Sequence, residues 1–145
     1  MSILFSRQCE YALQAVMYLA LKPEGERTSI KELTRKINIP YHFLAKILQD
    51  LTYKGLLMSQ KGPTGGFALG KPAKDITLFQ IVEAIDGTDV TSKCVLGFPE
   101  CSGKNPCAVH EKWTLLRDEI RLMLVGKNIT QMAKDMKKPE YKTGG

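Results

Sequence analysis

The sequence predicts a mainly α-helical fold with one small β-hairpin: a winged helix-turn-helix unit followed by a long C-terminal helix. Three observations point there. Two short amphipathic segments, starting at Ser29 and Pro40, are separated by only a few residues. A glycine-rich turn between two apolar runs follows at once, in the order L-L-M-S-Q-K, G-P-T-G-G, F-A-L-G. A long apolar segment from Trp113 to Val125 then stands alone behind an aperiodic, cysteine-rich stretch.

Each element has a local reason. Phe5, Cys9, Ala12, Leu13, Val16, Met17 and Ala20 recur at helical spacing and predict a first helix over about residues 5–21. Pro23 and Gly25 end it. Cys9 falls on its apolar stripe and reads as a small core residue, whereas Glu10 lies off the stripe and reads as a solvated acid. Ser29 with Glu32 has the form of a capping box, and Ile30, Leu33 and Ile37 supply the apolar face of the second helix, which stops at Asn38.

Pro40 suits the first position of the third helix and Gly55 the left-handed residue after its end. Phe43, Leu44, Ile47, Leu48 and Leu51 should face inward. Thr77 with Gln80 repeats the capping pattern and opens a fourth helix. From Asp86 to Pro106 no periodicity is visible, which in a compact chain marks a functional or disordered loop. Asn105 and Pro106 look like the cap and first residue of the long fifth helix. That helix is apolar on more than one side, so it needs a second partner, read as another copy of the chain. Gly126 ends it and Thr130 starts a short last helix. The expected division is a DNA-binding unit at 1–76, a loop-and-dimerisation unit at 77–138 and a disordered tail at 139–145.

The 145 residues are 43% hydrophobic, enough for a core, and no apolar run reaches the roughly 20 residues of a membrane span. The N-terminus lacks the pattern of a secretory signal, so a cytoplasmic location is expected. Lys and Arg total 21 against 15 acids, a formal net charge of +6 that suits a nucleic-acid binder. No phosphate-binding loop, nucleophile elbow or HExxH is present, and no enzyme is expected.

Three of the four cysteines and one of the two histidines lie between Cys94 and His110. Six residues separate Cys94 from Cys101, five separate Cys101 from Cys107, and two separate Cys107 from His110. Thiolates and an imidazole this close form a metal-ligand set. An iron–sulfur cluster tolerates long loops between ligands. Zinc takes the same donors but usually through a C-x2-4-C pair, which is missing. Thiol switching without metal is the third reading. On the expected helix, Cys107 sits in the first turn, where the dipole favours thiolate, and His110 shares its face.

If the third helix recognises DNA, its N-terminal residues meet base edges. Gln49 could then read adenine, Lys46 could read guanine or hold phosphate, and Tyr41 and His42 could touch bases or backbone. Ser29 at the entry to the second helix joins this candidate face. In the wing, Lys61, Gly62, Pro63, Thr64, Gly65 and Gly66 could follow the phosphate backbone or enter a minor groove.

With E-Y-A-L in the first helix, I-P-Y-H-F-L-A-K-I-L-Q-D-L in the third, K-G-P-T-G-G-F-A-L in the wing and C-x6-C-x5-C-x2-H behind them, residues 1–136 resemble the IscR/NsrR group of bacterial winged-helix iron–sulfur transcription regulators. The resemblance implies a homodimer on a partly palindromic double-stranded operator, acting by default as a repressor. It implies cluster ligation by Cys94, Cys101 and Cys107. The fourth ligand is His110, as in the IscR branch, or Glu10 of the partner subunit, as in other branches. His110 is favoured, and C-x2-H favours a 2Fe-2S over a 4Fe-4S cluster. The first cysteine spacing is one residue longer than the family pattern. Ala45 stands where the IscR branch has an acid, so operator preference does not carry over. The alternatives are a zinc-stapled or thiol-switched winged-helix regulator, or a small redox protein.

Overall fold

The structure, a computed structural model, describes residues 4–136. The tail expected at 139–145 lies outside the described residues. The first helix, α1 (Arg7–Ala20), starts where Ser6 Oγ accepts the Cys9 N–H at 3.1 Å. Its buried face, from Cys9 through Ala12, Ala15 and Val16 to Leu19, is lined by small residues that let neighbours pack close.

α2 (Ile30–Ile37) is capped by Ser29 and stopped by Asn38 in the left-handed region. The reciprocal half of the expected capping box is missing. The Glu32 carboxylate accepts instead from Tyr18 Oη at 2.6 Å and pairs with Lys22 Nζ at 2.6 Å. A charged donor and a phenol outbid the backbone N–H, because charge-assisted bonds are the stronger ones. The effect is to tie the start of α2 to the end of α1.

α3 (Tyr41–Tyr53) buries Leu44, Ile47, Leu48 and Leu51. Two expectations need correction. Pro40 has an extended ψ of 139° and flanks the helix rather than opening it. Phe43 is 46% exposed, because it lies about 90° round the helix from the middle of the buried stripe. Its ring rests beside His42, with centroids 4.5 Å apart. Gly55 has a φ of +80°, as a helix end requires.

The wing is an antiparallel pair, β1 (Leu57–Gln60) and β2 (Gly66–Leu69), in register from Leu57↔Leu69 to Gln60↔Gly66. A third strand position was not foreseen. Thr28, just ahead of α2, exchanges both backbone hydrogen bonds with Phe67 at 2.8 Å. This explains one glycine: Gly66 has a φ of +147°, and a Cβ there would lie 2.6 Å from the Thr28 carbonyl oxygen.

Past a short 3-10 turn at Ala73–Asp75, α4 (Leu78–Asp86) opens with the full Thr77/Gln80 capping box. The stretch expected to be aperiodic contains one helical turn, α5 (Asp89–Ser92). α6 (His110–Val125) starts later than predicted. α7 (Ile129–Asp135) starts one residue before Thr130 and is capped by Asn128. Ile129 donates its N–H to the Ile76 carbonyl, returning the C-terminal helix to the first three.

One core runs through α1, α2 and α3 and includes Ile76, Ile81 and Ile129. A second, smaller core consists of Cys9, Val82 and Leu124, with Phe5, Phe79, Val90 and Ile120 around it. It joins α6 to α4 and α1. On α6, Trp113, Arg117, Ile120 and Leu124 turn inward, while Leu115, Leu116, Leu122 and Met123 are at least 49% exposed.

Replacing Gly66 with Ala combines strained backbone with a collision against Thr28, and should cost about 3 kcal/mol or more in urea unfolding. Gly62 also has positive φ, +108°, but nothing lies within 4 Å of its missing Cβ. Gly62→Ala should cost only about 1–2 kcal/mol. Equal losses would show that Thr28 does not press on the wing.

Candidate metal centre and nucleic-acid face

The cysteine loop is built from small closed turns. Cys94 lies one residue beyond the end of α5, and the carbonyls just before it are held by α6: Trp113 Nε1 donates to the Lys93 oxygen at 2.8 Å, and the Arg117 guanidinium donates to the Ser92 oxygen at 3.1 Å. Gly97, at φ +84°, turns the chain so that its N–H returns to the Cys94 carbonyl. Between Cys101 and Cys107 the backbones of Ser102 and Asn105 bond reciprocally at 3.2 and 3.1 Å, and Ser102 Oγ accepts from the Lys104 and Asn105 N–H groups. Ser102 went unnoticed in the sequence, although a Ser followed by Gly-Lys-Asn is a turn signal.

These turns bring the three thiols together. All three sulfurs lie within 4.8 Å of one another. Cys94 Sγ and Cys107 Sγ are 3.6 Å apart, far beyond a disulfide bond of about 2.05 Å. Two thiolates on one tetrahedral metal with bonds near 2.3 Å stand about 3.8 Å apart, so this pair fits a shared metal. Cys101 Sγ receives the Cys107 N–H at 3.4 Å and lies 3.2 Å from His110 Nδ1. The donor set is therefore three soft sulfurs plus an imidazole nitrogen, which suits an iron–sulfur cluster or zinc. Glu10, in the first turn of α1, is not a member of this group in its own chain.

The expected helix start at Asn105–Pro106 is overturned. Asn105 commits its backbone to Ser102, and α6 begins only at His110, with no side-chain cap. Cys107 therefore lies ahead of the helix, and His110 meets Cys101 across a turn instead of sharing a helical face with Cys107.

The thiols titrate differently. Burial pushes Cys94 up, but the backbone at Phe98 and Leu96 and the thiols of Cys107 and Cys101 outweigh it and bring it down to about 7. The Val109 backbone pulls Cys107 down, but burial and its two cysteine neighbours hold it above the usual value. Of the two, Cys94 is the more readily ionised. Cys9 is different again: burial, followed by the nearby Asp86, pushes it up to about 12. The Cys94 side of the loop opens on a cavity of ≈ 450 Å³ lined by Leu4, Asp86, Asp89, Val90, Lys93, Val95 and Trp113.

On α3, the candidate DNA-facing residues Tyr41, His42, Lys46 and Gln49 are exposed. Ser29 is exposed too, with its Oγ occupied by the Glu32 N–H at 3.2 Å. Lys61, Gly62, Pro63 and Thr64 form the exposed tip of the wing. Gly65 and Gly66 are half-buried at its base, where a Cβ on Gly65 would collide with the Gln60 carbonyl.

Fold and site together define a winged-helix protein with a cysteine-lined loop between α5 and α6. A family model for Rrf2, described as an iron-dependent transcriptional regulator, matches residues 5–135. The chain belongs to the Rrf2 family of transcriptional regulators. It is 36% identical over 132 residues to a helix-turn-helix transcriptional regulator of Aquifex aeolicus, covering 90% of this chain and 91% of that one. It is 30% identical over 110 residues to the transcriptional regulator IscR of Escherichia coli, covering 76% and 67% respectively. The solved structure of CymR, the global cysteine regulator of B. subtilis, superposes with a TM-score of 0.77 at 26% identity, covering 93% of this chain and 98% of that one. T. potens IscR shares the fold, with a TM-score of 0.73 at 21% identity over 99% and 94%. Among the described residues no helix is long and apolar enough to cross a membrane.

In metal-free protein, iodoacetamide should label Cys94 first. Its rate should rise with pH as the thiolate forms, reach half-maximum near pH 7 and then level off. Cys9 should stay unlabelled until the protein unfolds. Peptide mapping reads both, and a Cys94 profile centred above pH 8.5 would contradict the loop geometry.

Proposed function

We propose that this chain is a homodimeric DNA-binding regulator, acting as a repressor, whose operator affinity is set by an iron–sulfur cluster in the 94–110 loop. The convergence of three thiols and His110 in a chain that also carries a winged helix supports this reading. Cys94, Cys101 and Cys107 would hold the cluster, and the 3.2 Å approach of Nδ1 to Cys101 favours His110 over Glu10 of the partner subunit as the fourth ligand. The C-x2-H spacing, which resembles that of the IscR branch, favours a 2Fe-2S over a 4Fe-4S cluster. When bound, such a cluster supplies a link that oxidation or ligand loss can change.

The remaining work falls to the protein. Residues 1–76 would form the DNA-binding unit and 77–138 the sensing and dimerising unit. The exposed Leu115, Leu116, Leu122 and Met123 form two pairs seven residues apart, 115 with 122 and 116 with 123, the repeat of a helix–helix seam, and would bury against the same face of a second copy. Two α3 helices would then enter successive major grooves about 34–36 Å apart on a partly palindromic operator. Gln49 and Lys46 would meet base edges, Tyr41, His42 and Ser29 would lie beside them, and the tip from Lys61 to Thr64 would follow the backbone. The loop joins α5 to α6, which reach the Cys9–Leu124 core through Val90 and Ile120, so its state would bias the spacing of the two recognition helices.

The 3.6 Å separation of Cys94 and Cys107 supports a second reading. Those two thiols could close to a disulfide by passing two electrons and two protons to a peroxide. CymR of Staphylococcus aureus, 25% identical to this chain, has been solved in an oxidized form.

Anaerobic purification should yield a coloured protein with about two irons and two sulfides per chain. His110→Ala should lose or shift the visible spectrum more than Glu10→Ala. One zinc and no colour would sink the cluster reading, and a colourless, metal-free protein would leave the disulfide. Separately, Gln49→Ala should weaken operator binding by about 1–3 kcal/mol and relax preference at one base pair. A uniform loss on every DNA sequence would refute base readout by Gln49.

A further inference from the structure

Four ligand candidates lie between Cys94 and His110, yet three of them fall within the short stretch 101–110, closed by its own turns. Cys94 is the distant one. Its local partners, the Gly97 N–H on its carbonyl and the backbone at Leu96 and Phe98 on its thiol, lie in its own turn. Its approach to Cys107 therefore depends on the chain that enters from α5, and α5 is a single turn, too short to hold its own position. We infer that Trp113 and Arg117 are positioning residues for Cys94: they hold the two peptides just before it and so set the Cys94–Cys107 distance before any ligand binds. This rests on the proposal that the loop cysteines act together, and not on which metal they hold.

Three observations support it. First, the bonds go to consecutive carbonyls, those of Ser92 and Lys93, immediately ahead of Cys94. Second, the donors are four residues apart on α6, so they share one helical face. That face continues inward to Ile120 and Leu124, which is fully buried against Cys9 and Val82. The clamp is thus anchored in the core rather than in the loop. Third, α6 begins at His110, so one helix presents His110 at its start and fixes Cys94 through its second and third turns. The two ends of the donor set share a single rigid reference. Groups that orient ligands in this way commonly matter about as much as tenfold or more in affinity.

Neither donor is explained by the core alone. A phenylalanine at Trp113 or a methionine at Arg117 would keep an apolar side chain there without donating to the carbonyls. The indole and guanidinium supply planar N–H donors whose direction the ring and fork geometry fix.

Phenylarsine oxide tests the distance without iron. Its arsenic takes two thiol sulfurs, forming two As–S bonds while the oxide oxygen leaves as water with the two thiol protons. Its arsenic stays trivalent throughout, so no oxidant is needed. In a Cys101→Ser background the reagent must bridge Cys94 and Cys107, and in a Cys94→Ser background it must bridge Cys101 and Cys107. Trp113→Phe and Arg117→Met should each weaken the first complex about threefold, the worth of a single modest hydrogen bond. Together they should weaken it about tenfold. Arg117→Lys keeps a donor and should restore most of the loss. The Cys101–Cys107 complex should not change, and circular dichroism melts should show the variants folded.

Unchanged affinity for the Cys94–Cys107 pair in the folded double variant would overturn the inference. So would equal weakening of both pairs, which would mean general loosening of the loop. A native protein that proves metal-free would count against the cluster but would leave this measurement fully decisive.

Discussion

The burial of one face of α1 is the contact on which the rest of the molecule depends. Ala12 and Ala15 are fully buried in the main core with α2 and α3, while Cys9, one turn earlier, is fully buried against Val82 and Leu124. A single helix therefore belongs to both halves. Its small side chains make this possible, since larger residues at Cys9, Ala12 or Ala15 would overpack both cores. At its start, Ser6 is held by Asp86 at the end of α4, and at its end Lys22 and Tyr18 grip Glu32 on α2. The DNA-facing motif and the loop-bearing helix meet through α1 and not through a flexible linker.

Much of this was legible in the sequence, because helical periodicity and cap residues are local signals. The stripe on α1, the Thr77/Gln80 box, the αL position of Gly55 and the hairpin after α3 all follow from residues within a few positions of one another. The misses share a cause: a distant partner changed a local preference. Glu32 abandoned its capping role for Tyr18 and Lys22. Phe67 found Thr28, nearly forty residues away, and forced glycine at position 66. Asn105 looked like a cap before proline, but the reciprocal Ser102 turn claimed it and moved the start of α6 to His110.

The site divides the same way. That Cys94, Cys101, Cys107 and His110 would converge was readable from their crowding. How they converge was not, because the distances depend on turns at Gly97 and Ser102 and on two side chains of α6 that carry no metal-binding signature. Cys9 shows the converse. Composition alone makes it a fourth cysteine, but it is buried away from the group of three, and burial together with the nearby Asp86 pushes its thiol up to about 12.

The pairing of Thr28 with Phe67 has a consequence for how such a molecule can be controlled. It welds the hairpin to the doorstep of α2, so helix and wing form a single unit. Were two such chains paired as proposed, a signal from the loop would have little freedom to reshape either unit. It would act on the gap and tilt between them, in the manner of a caliper whose jaws keep their form while the opening changes. Discrimination of base sequence would then reside in the side chains of each jaw, and the response to the signal in the hinge between them.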